Sequence, residues 1–361
     1  MSTGYMKNKL HLISVLSALI RKKLFGRSTP LFISWEITNR CNYRCPYCSV
    51  WKDRSKEPSL QEILATIDEL YKAGTRFISF SGGEPLLRKD LSAIIEHCQL
   101  RNMYIKVTTN GSLVEEHIDI LKCVDFVLMT FNGPEPVHDA VRHKGSYSDV
   151  VRALKVLQKS KIPCGLNCVL TKGAVSHIDE LIRFARAHGI PITFQPLEER
   201  SRSVDLKKLE PDRAAYGTAI QKLISYKRSG DALILNTLSY LNYIVPWPNT
   251  PQRVSCAAGS YFFRINARGD ICACDRIKGR RYHLRSGTLR KVLTSSVPVV
   301  CTTPCWRNAT MELNYLLMAR FLSWETFRNI LSRVVPISRS LRYRSRAIRK
   351  KNMLRSGVCC L

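Results

Sequence analysis

Acidic residues are scarce in this chain: 28 Asp and Glu stand against 57 Lys and Arg over 361 residues, a formal net charge of +29. A surplus of that size calls for a polyanionic partner, either nucleic acid or the anionic face of a membrane. No apolar run is long enough to cross a bilayer, which excludes a transmembrane helix. The Lys/Arg-rich start, Met6 to Lys23, has no small-residue cleavage site, which excludes a secretory signal. Val358 occupies the fourth position from the end, where a prenylated terminus needs Cys. A secreted disulfide framework is therefore not expected, and the cysteines belong to a reducing cytoplasm where thiols stay free for metal.

What the chain does have is cysteine, 14 in all. Cys41, Cys45 and Cys48 lie in the stretch Thr38 to Trp51 with C-x3-C-x2-C spacing and Tyr47 just before the third. Three thiolates so spaced can hold three irons of a [4Fe–4S] cubane and leave the fourth iron open to a small molecule. Structural zinc wants four closed ligands, and no fourth Cys or His is close by in sequence. The stretch resembles the signature loop of the radical S-adenosylmethionine (SAM) superfamily. That resemblance implies a [4Fe–4S] cluster whose open iron chelates the amine and carboxylate of SAM, and one-electron cleavage to a 5′-deoxyadenosyl radical.

Phe77 to Leu86 (FISFSGGEPL) reads as a buried strand ending in Gly82, Gly83 and Glu84. The glycines allow a close backbone approach at the strand's C-terminal end, and Glu84 can meet an ammonium group. In the superfamily such a segment contacts the SAM amine. Further short apolar runs are Leu31–Ile37, Tyr104–Thr108, Phe126–Thr130, Gly165–Leu170 and Ile192–Gln195, separated by amphipathic stretches such as Leu60–Tyr71. Alternating strands and helices predict an α/β fold, a parallel (β/α)6 partial barrel with right-handed crossovers. Ligands then sit at the carboxyl ends of the strands. Thr109 and Asn110 fall there as candidate ribose contacts or as an ordinary Asn-Gly turn. Asn132 and Asn167 fall there too, Asn167 either as ligand or as barrel filling, and Gln195 either touches cofactor or substrate or is a satisfied polar group.

Thr130-Phe-Asn-Gly133, followed by His138, Asp139, Arg142 and Gly145-Ser-Tyr147, resembles the pattern of radical SAM enzymes with an extra cluster domain, the SPASM and twitch group. Asn132 stands where that pattern has Asp, so base catalysis from this position is not expected. His138, Asp139 and Arg142 are read as a network fixing the loop. Downstream, Cys256 and Cys274 flank a hairpin turn at Ala267–Asp270, and Cys301 and Cys305 add two thiols. The longer cysteine series of a full SPASM domain is missing. The resemblance therefore implies a twitch-like domain with one auxiliary [4Fe–4S] cluster on Cys256, Cys274, Cys301 and Cys305. A structural zinc is the alternative occupant, and Cys272 the alternative to Cys274. Cys98, Cys123, Cys164 and Cys168 read as small core residues.

The charge is concentrated at the ends. Arg339 to Arg355 carries eight cations and no acid, preceded by the apolar, aromatic stretch Tyr315–Val335. Near the N-terminus Leu12, Ile13, Leu16, Leu19 and Ile20 recur at helical spacing before Arg21, Lys22 and Lys23. Both compositions suit helices in a membrane interface, or helices packed on the barrel beside a solvated charge run. Four segments follow: a basic amphipathic start (1–29), the core (30–210), the auxiliary-cluster domain (211–310) and a polybasic tail (311–361). The expected function is hydrogen abstraction from a lipid or membrane-linked substrate at the inner face of the membrane. Peptide maturation, nucleic-acid modification and a non-catalytic cluster role are the alternatives. A flavodoxin- or ferredoxin-type reductant is the expected electron donor.

Overall fold

The computed structural model describes residues 3–198, 206–249, 256–274, 282–283 and 305. The six strands read from the sequence all form, as β1 (Phe32–Thr38), β2 (Phe77–Gly82), β3 (Tyr104–Thr109), β4 (Phe126–Thr130), β5 (Cys164–Leu170) and β6 (Ile192–Pro196). They pair in parallel, each with its neighbour in sequence. Three further strands, β7 (Phe262–Ile265), β8 (Asp270–Cys272) and β9 (Tyr282–His283), extend the same sheet. The order is β6-β5-β4-β3-β2-β1-β7-β8-β9, with β7 parallel to β1 and the last two antiparallel. The partial barrel is thus present, and the hairpin carrying the later cysteines is an extension of its first edge.

Alternation along the strands sorts the two faces. Ile33, Trp35, Ile37, Ile78, Phe80, Ile105, Val107, Val127 and Met129 are buried against the helices. The other parity gives an inner face of half-buried, mostly polar residues: Ser34, Glu36, Ser79, Ser81, Lys106 and Thr108. Register places Arg264, Ser34, Ser79 and Lys106 in one row across four strands, with Glu36, Ser81, Thr108 and Leu128 in the next.

The helices are α1 (Thr3–Phe25), α2 (Leu60–Ala73), α3 (Leu91–Gln99), α4 (Ile118–Leu121), α5 (Glu135–Val141), α6 (Ser146–Lys159), α7 (Lys172–Ser176), α8 (Ile178–His188), α9 (Arg213–Arg228) and α10 (Leu238–Ile244). In α2, Ile63, Ile67 and Leu70 face the sheet, and Ser59 and Glu62 close a capping box at its start, an arrangement that contributes about 1 kcal/mol. Residues 211–249, expected to open the auxiliary domain, share the barrel's core through Tyr216, Ile220, Leu223, Tyr240 and Ile244.

Helix α1 closes the opposite end of the barrel. Val15, Ala18 and Leu19 pack with Leu31, Phe77, Tyr261 and Phe262, joined by Phe32 and Tyr104 from the strand starts. His11 is buried there, its Nε2 2.8 Å from the Asn102 carbonyl and its ring 5.1 Å from that of Phe77. The expected apolar face is rotated. Leu19 turns inward, while Ile13, Leu16 and Ile20 are 62%, 43% and 55% exposed. Small Ala18 and aromatic partners make the inner face, and these were invisible to a count of large aliphatics. No helix among the described residues is long and apolar enough to cross a membrane. The expected helix at Tyr315–Val335 and the polybasic tail lie outside the described residues.

Candidate cofactor site at the cysteine loop

The cysteine loop leaves the end of β1 and is tied to its neighbours residue by residue. Thr38 Oγ1 donates to Glu57 Oε1 (2.5 Å), and the Asn39 amide donates to the same oxygen (2.9 Å). Arg88, almost fully buried, donates to the Ile37 carbonyl (2.8 Å) and to Pro58 O (2.9 Å), and lies 3.5 Å from Glu57. These contacts fix the chain before the first cysteine.

Gly82 and Gly83 serve this loop directly. The Gly83 amide donates to Thr38 O and the Glu84 amide to Arg40 O, both at 2.8 Å. A Cβ on Gly82 would lie 2.2 Å from Thr38 O, and one on Gly83 2.0 Å from Arg40 O. Gly82 also sits at φ +125°, where side chains are strained. The close backbone approach read from the sequence is therefore made to the cysteine loop itself.

Glu84 is fully buried. Its Oε1 accepts from Thr109 Oγ1 (2.8 Å) and the Leu86 amide (3.2 Å), and its Oε2 from the Asn110 amide (2.8 Å). Burial pushes its pKa up, against those hydrogen bonds and the charge of Arg142. A buried carboxylate with one polar side is an electrostatic partner for a bound cation. Asn110, also buried, donates from Nδ2 to Asn42 Oδ1 (2.8 Å), while Asn42 donates to Ser112 Oγ (2.8 Å). Thr109 and Asn110 thus join the loop to Glu84.

On the other side Tyr43 donates its hydroxyl to Asp149 and stacks on His143 at 5.3 Å. Arg142 donates to the Tyr47 hydroxyl at 2.6 Å. Asp139 accepts from the Gly145 and Tyr147 amides and from Ser146 Oγ, pinning the start of α6. His138 Nδ1 accepts from the Asn132 amide (3.1 Å), and burial, with the charge of Arg142, holds its pKa down to about 3. His138, Asp139 and Arg142 each hydrogen-bond into the segments around them. Asn132 is fully buried and receives the Val169 amide on Oδ1 (3.1 Å), joining β4 to β5. Gln195 is half-buried near the end of β6, whereas Asn167, expected at a carboxyl end, is half-buried at the middle of β5.

The donor set fits an iron–sulfur cluster. Three thiols share one loop, with Cys45 buried and Cys41 and Cys48 half-buried. Burial, helped by Glu84 and the neighbouring thiols, pushes Cys41 up to about 11, and a metal ligating its sulfur would displace the proton. The Tyr43 amide donates to Cys41 Sγ at 3.4 Å, a contact that steadies a ligated sulfur. No three of the described Cys, His, Asp or Glu side chains converge on a single ion. Among the described residues, buried Arg142 Nε and Asn132 Nδ2 have no hydrogen-bond partner.

Of the second group, Cys256 and Cys274 are half-buried against the same apolar cluster as α1. Cys272 is buried on β8, opposite Arg264. Cys305 packs against the main core, and Cys301 lies outside the described residues. Sequence reasoning missed Asn42, Glu57, Arg88 and Asp149. Each is an ordinary polar residue whose importance depends on which strand end it meets, a relation with no local signal.

A parallel partial barrel with a three-cysteine loop at its strand ends defines a class of iron–sulfur, SAM-binding domain, and comparison with known proteins agrees. Residues 35–191 match the family model described as the radical SAM superfamily. This part of the chain is a radical SAM domain, of a family that uses a [4Fe–4S] cluster and SAM, and its relatives are consistent with the SPASM and twitch subgroup. The mycofactocin maturase MftC of Mycolicibacterium smegmatis is 27% identical over 262 residues, 69% of this chain and 65% of that protein. The PqqA peptide cyclase of Granulibacter bethesdensis is 30% identical over 169 residues, 44% of this chain and 45% of that protein. Among solved structures, SuiB of Streptococcus suis superposes with a TM-score of 0.62 at 16% identity, covering 77% of this chain and 69% of that one. This last likeness shows the fold.

Proposed function

We propose that the chain is a radical SAM enzyme that modifies a peptide. The observation that carries the proposal is the cysteine loop docked on Gly83, Glu84 and Asn110 at the open ends of the parallel strands, above a polar inner face. Cys41, Cys45 and Cys48 would hold a [4Fe–4S] cluster, which would supply the one-electron chemistry by which SAM serves hydrogen abstraction from a substrate C–H bond. The protein's own part is placement. Glu84 offers negative charge to the SAM amine, Asn167 and Gln195 offer hydrogen bonds from the inner face, and the braced loop keeps the thiols in place.

A lipid substrate, expected from the net charge, is the weaker reading. Ser34, Glu36, Ser79, Ser81, Lys106 and Thr108 offer hydrogen bonds to a polar substrate and give an acyl chain little apolar surface. The names of the PqqA peptide cyclase and of the MftC maturase support the same reading. The second cluster is proposed on Cys256, Cys274, Cys301 and Cys305, to ligate substrate or accept an electron from a product radical. With SAM and dithionite under anaerobic conditions, short peptides encoded beside the gene should accelerate 5′-deoxyadenosine release and change mass. Acceleration by membrane lipid extracts and by none of the peptides would return the substrate to the lipid class.

One observation favours peripheral contact with an anionic membrane as a second property: the exposed stripe Ile13, Leu16, Ile20, Leu24 and Phe25 on the outside of α1, next to Arg21 and Arg27. Flotation with anionic but not neutral vesicles supports it, and retention in the soluble fraction with both removes it.

A further inference from the structure

Lowest in the barrel, Phe262, Phe32, Phe77 and Tyr104 stand in one row across four strands, with the Phe32 and Phe77 rings stacked at 4.5 Å. Helix α1 packs beneath them, so the interior ends here on an apolar floor. Two residues further along the same strands come Arg264, Ser34, Ser79 and Lys106, all half-buried. Alternation puts them on the same inner face as the aromatic row. Long cations thus stand at both ends of a row whose middle is two short hydroxyls, and the serines leave room between them.

Glu36, in the row above, accepts from Arg264 Nη2 at 2.7 Å. Its row-mates Ser81, Thr108 and Leu128 are uncharged. Two cations therefore face one carboxylate across the two rows, a surplus of one positive charge. An apolar floor beneath a charged row lowers the local dielectric and strengthens the pull on an anion. Hydrogen bonds from a cation to a carboxylate are roughly twice as strong as neutral ones, and flanking hydroxyls add to them. In a peptide the anion is a carboxylate, carried by an Asp or Glu side chain or by the chain end. Ser79 lies three residues before Gly82 on β2, a rise of roughly 10 Å. A carboxylate seated on the row is then within about three residues of a carbon presented at the strand ends.

We propose that Arg264, Ser34, Ser79 and Lys106 form a carboxylate-binding row that selects peptides carrying an acidic group close to the position that reacts. The inference rests on the peptide reading given above and adds which peptides are taken. Binding is by charge and hydrogen bonds alone, with no bond made or broken at the row.

Three synthetic tripeptides are the probes: acetyl-Ala-Glu-Ala-amide, acetyl-Ala-Gln-Ala with a free C-terminal carboxylate, and acetyl-Ala-Gln-Ala-amide, which has no carboxylate. Each is titrated into the anaerobic, iron-loaded protein with SAM, and binding is read by ligand-observed NMR without reductant, so that nothing turns over. One of the first two should bind about tenfold or more tighter than the third, and which one does so assigns the carboxylate to a side chain or to the chain end. Lys106→Gln should lose this preference and Lys106→Arg should keep it. Glu36→Gln removes the carboxylate that competes for Arg264 and should widen the preference about threefold or more. An ion pair that only braces the sheet would instead weaken all three probes alike. Equal binding of the three probes, a preference that survives Lys106→Gln, or one that fails to grow in Glu36→Gln overturns the proposal. Failure of the peptide reading shows separately, as 5′-deoxyadenosine release that no peptide accelerates while the probe preference stays intact.

Discussion

Cys41, Cys45 and Cys48 occupy one short loop whose flanks are hydrogen-bonded to the ends of β2 and β3 and to the α5–α6 segment. Cys256 and Cys274 instead flank a hairpin on the far edge of the sheet, beside an apolar cluster. Glu57, Gly83, Asn110 and Asp149 each hold a different part of the first loop. Cys256 and Cys274 of the second group pack against that apolar cluster. Preorganisation by hydrogen bonds should make the first group resistant to rearrangement and the second more dependent on its metal.

The largest effect should come from replacing Cys41, Cys45 and Cys48 together by Ala. SAM cleavage with dithionite, followed by chromatography of 5′-deoxyadenosine, should fall by about 10³-fold or more, and iron should drop from about eight to about four per chain. If cleavage survives, the two groups do not differ as argued. Gly83→Ala tests the bracing without touching a thiol. With a Cβ 2.0 Å from Arg40 O, it should cost about 3 kcal/mol or more and lower the iron held at the first site, measured by chemical denaturation and iron assay. A Cys256→Ala/Cys274→Ala variant should keep SAM cleavage, hold about four irons and lose product formation. Stoichiometric zinc in the wild type, with iron only at the first group, would instead favour a structural metal.

How much of this was legible follows from the same contrast. The strand positions, the cysteine spacing and the Gly-Gly-Glu turn are local patterns, and each lies where its residues indicated. The reason for the glycines was not local: their neighbour is Thr38–Arg40 and not only a ligand. Nor was the inward turn of α1, since Ala18 and His11 carry no strong apolar signal. The parallel pairing of β7 with β1 depends on a partner about 230 residues away, for which no short-range pattern exists.

Smaller effects sharpen the picture. His138 titrates near 3 in the folded protein and near 6.5 when unfolded. Between those values the unfolded chain binds a proton that the folded one refuses, so stability should fall as pH drops below about 6.5. The loss is about 2 kcal/mol from pH 7 to pH 5, and His138→Gln should flatten that slope in urea melts. Smallest of all, Asn42→Ala should cost about 1 kcal/mol and speed loss of iron to a chelator, with little change in overall fold.

The strand order has a consequence for synthesis on the ribosome. Phe32 pairs with Phe77 on one side and with Phe262 on the other. At about 5–20 residues per second the chain needs roughly 10–50 s to travel from the first of these residues to the last. Throughout that interval one edge of β1 exists without its native neighbour, a long wait for an unpaired edge in a nascent chain. A shield is available early, because α1 precedes the strand and packs against Leu31 and Phe32. The N-terminal helix, made before any strand, thus places apolar cover at the start of β1 and forms the floor of the finished barrel.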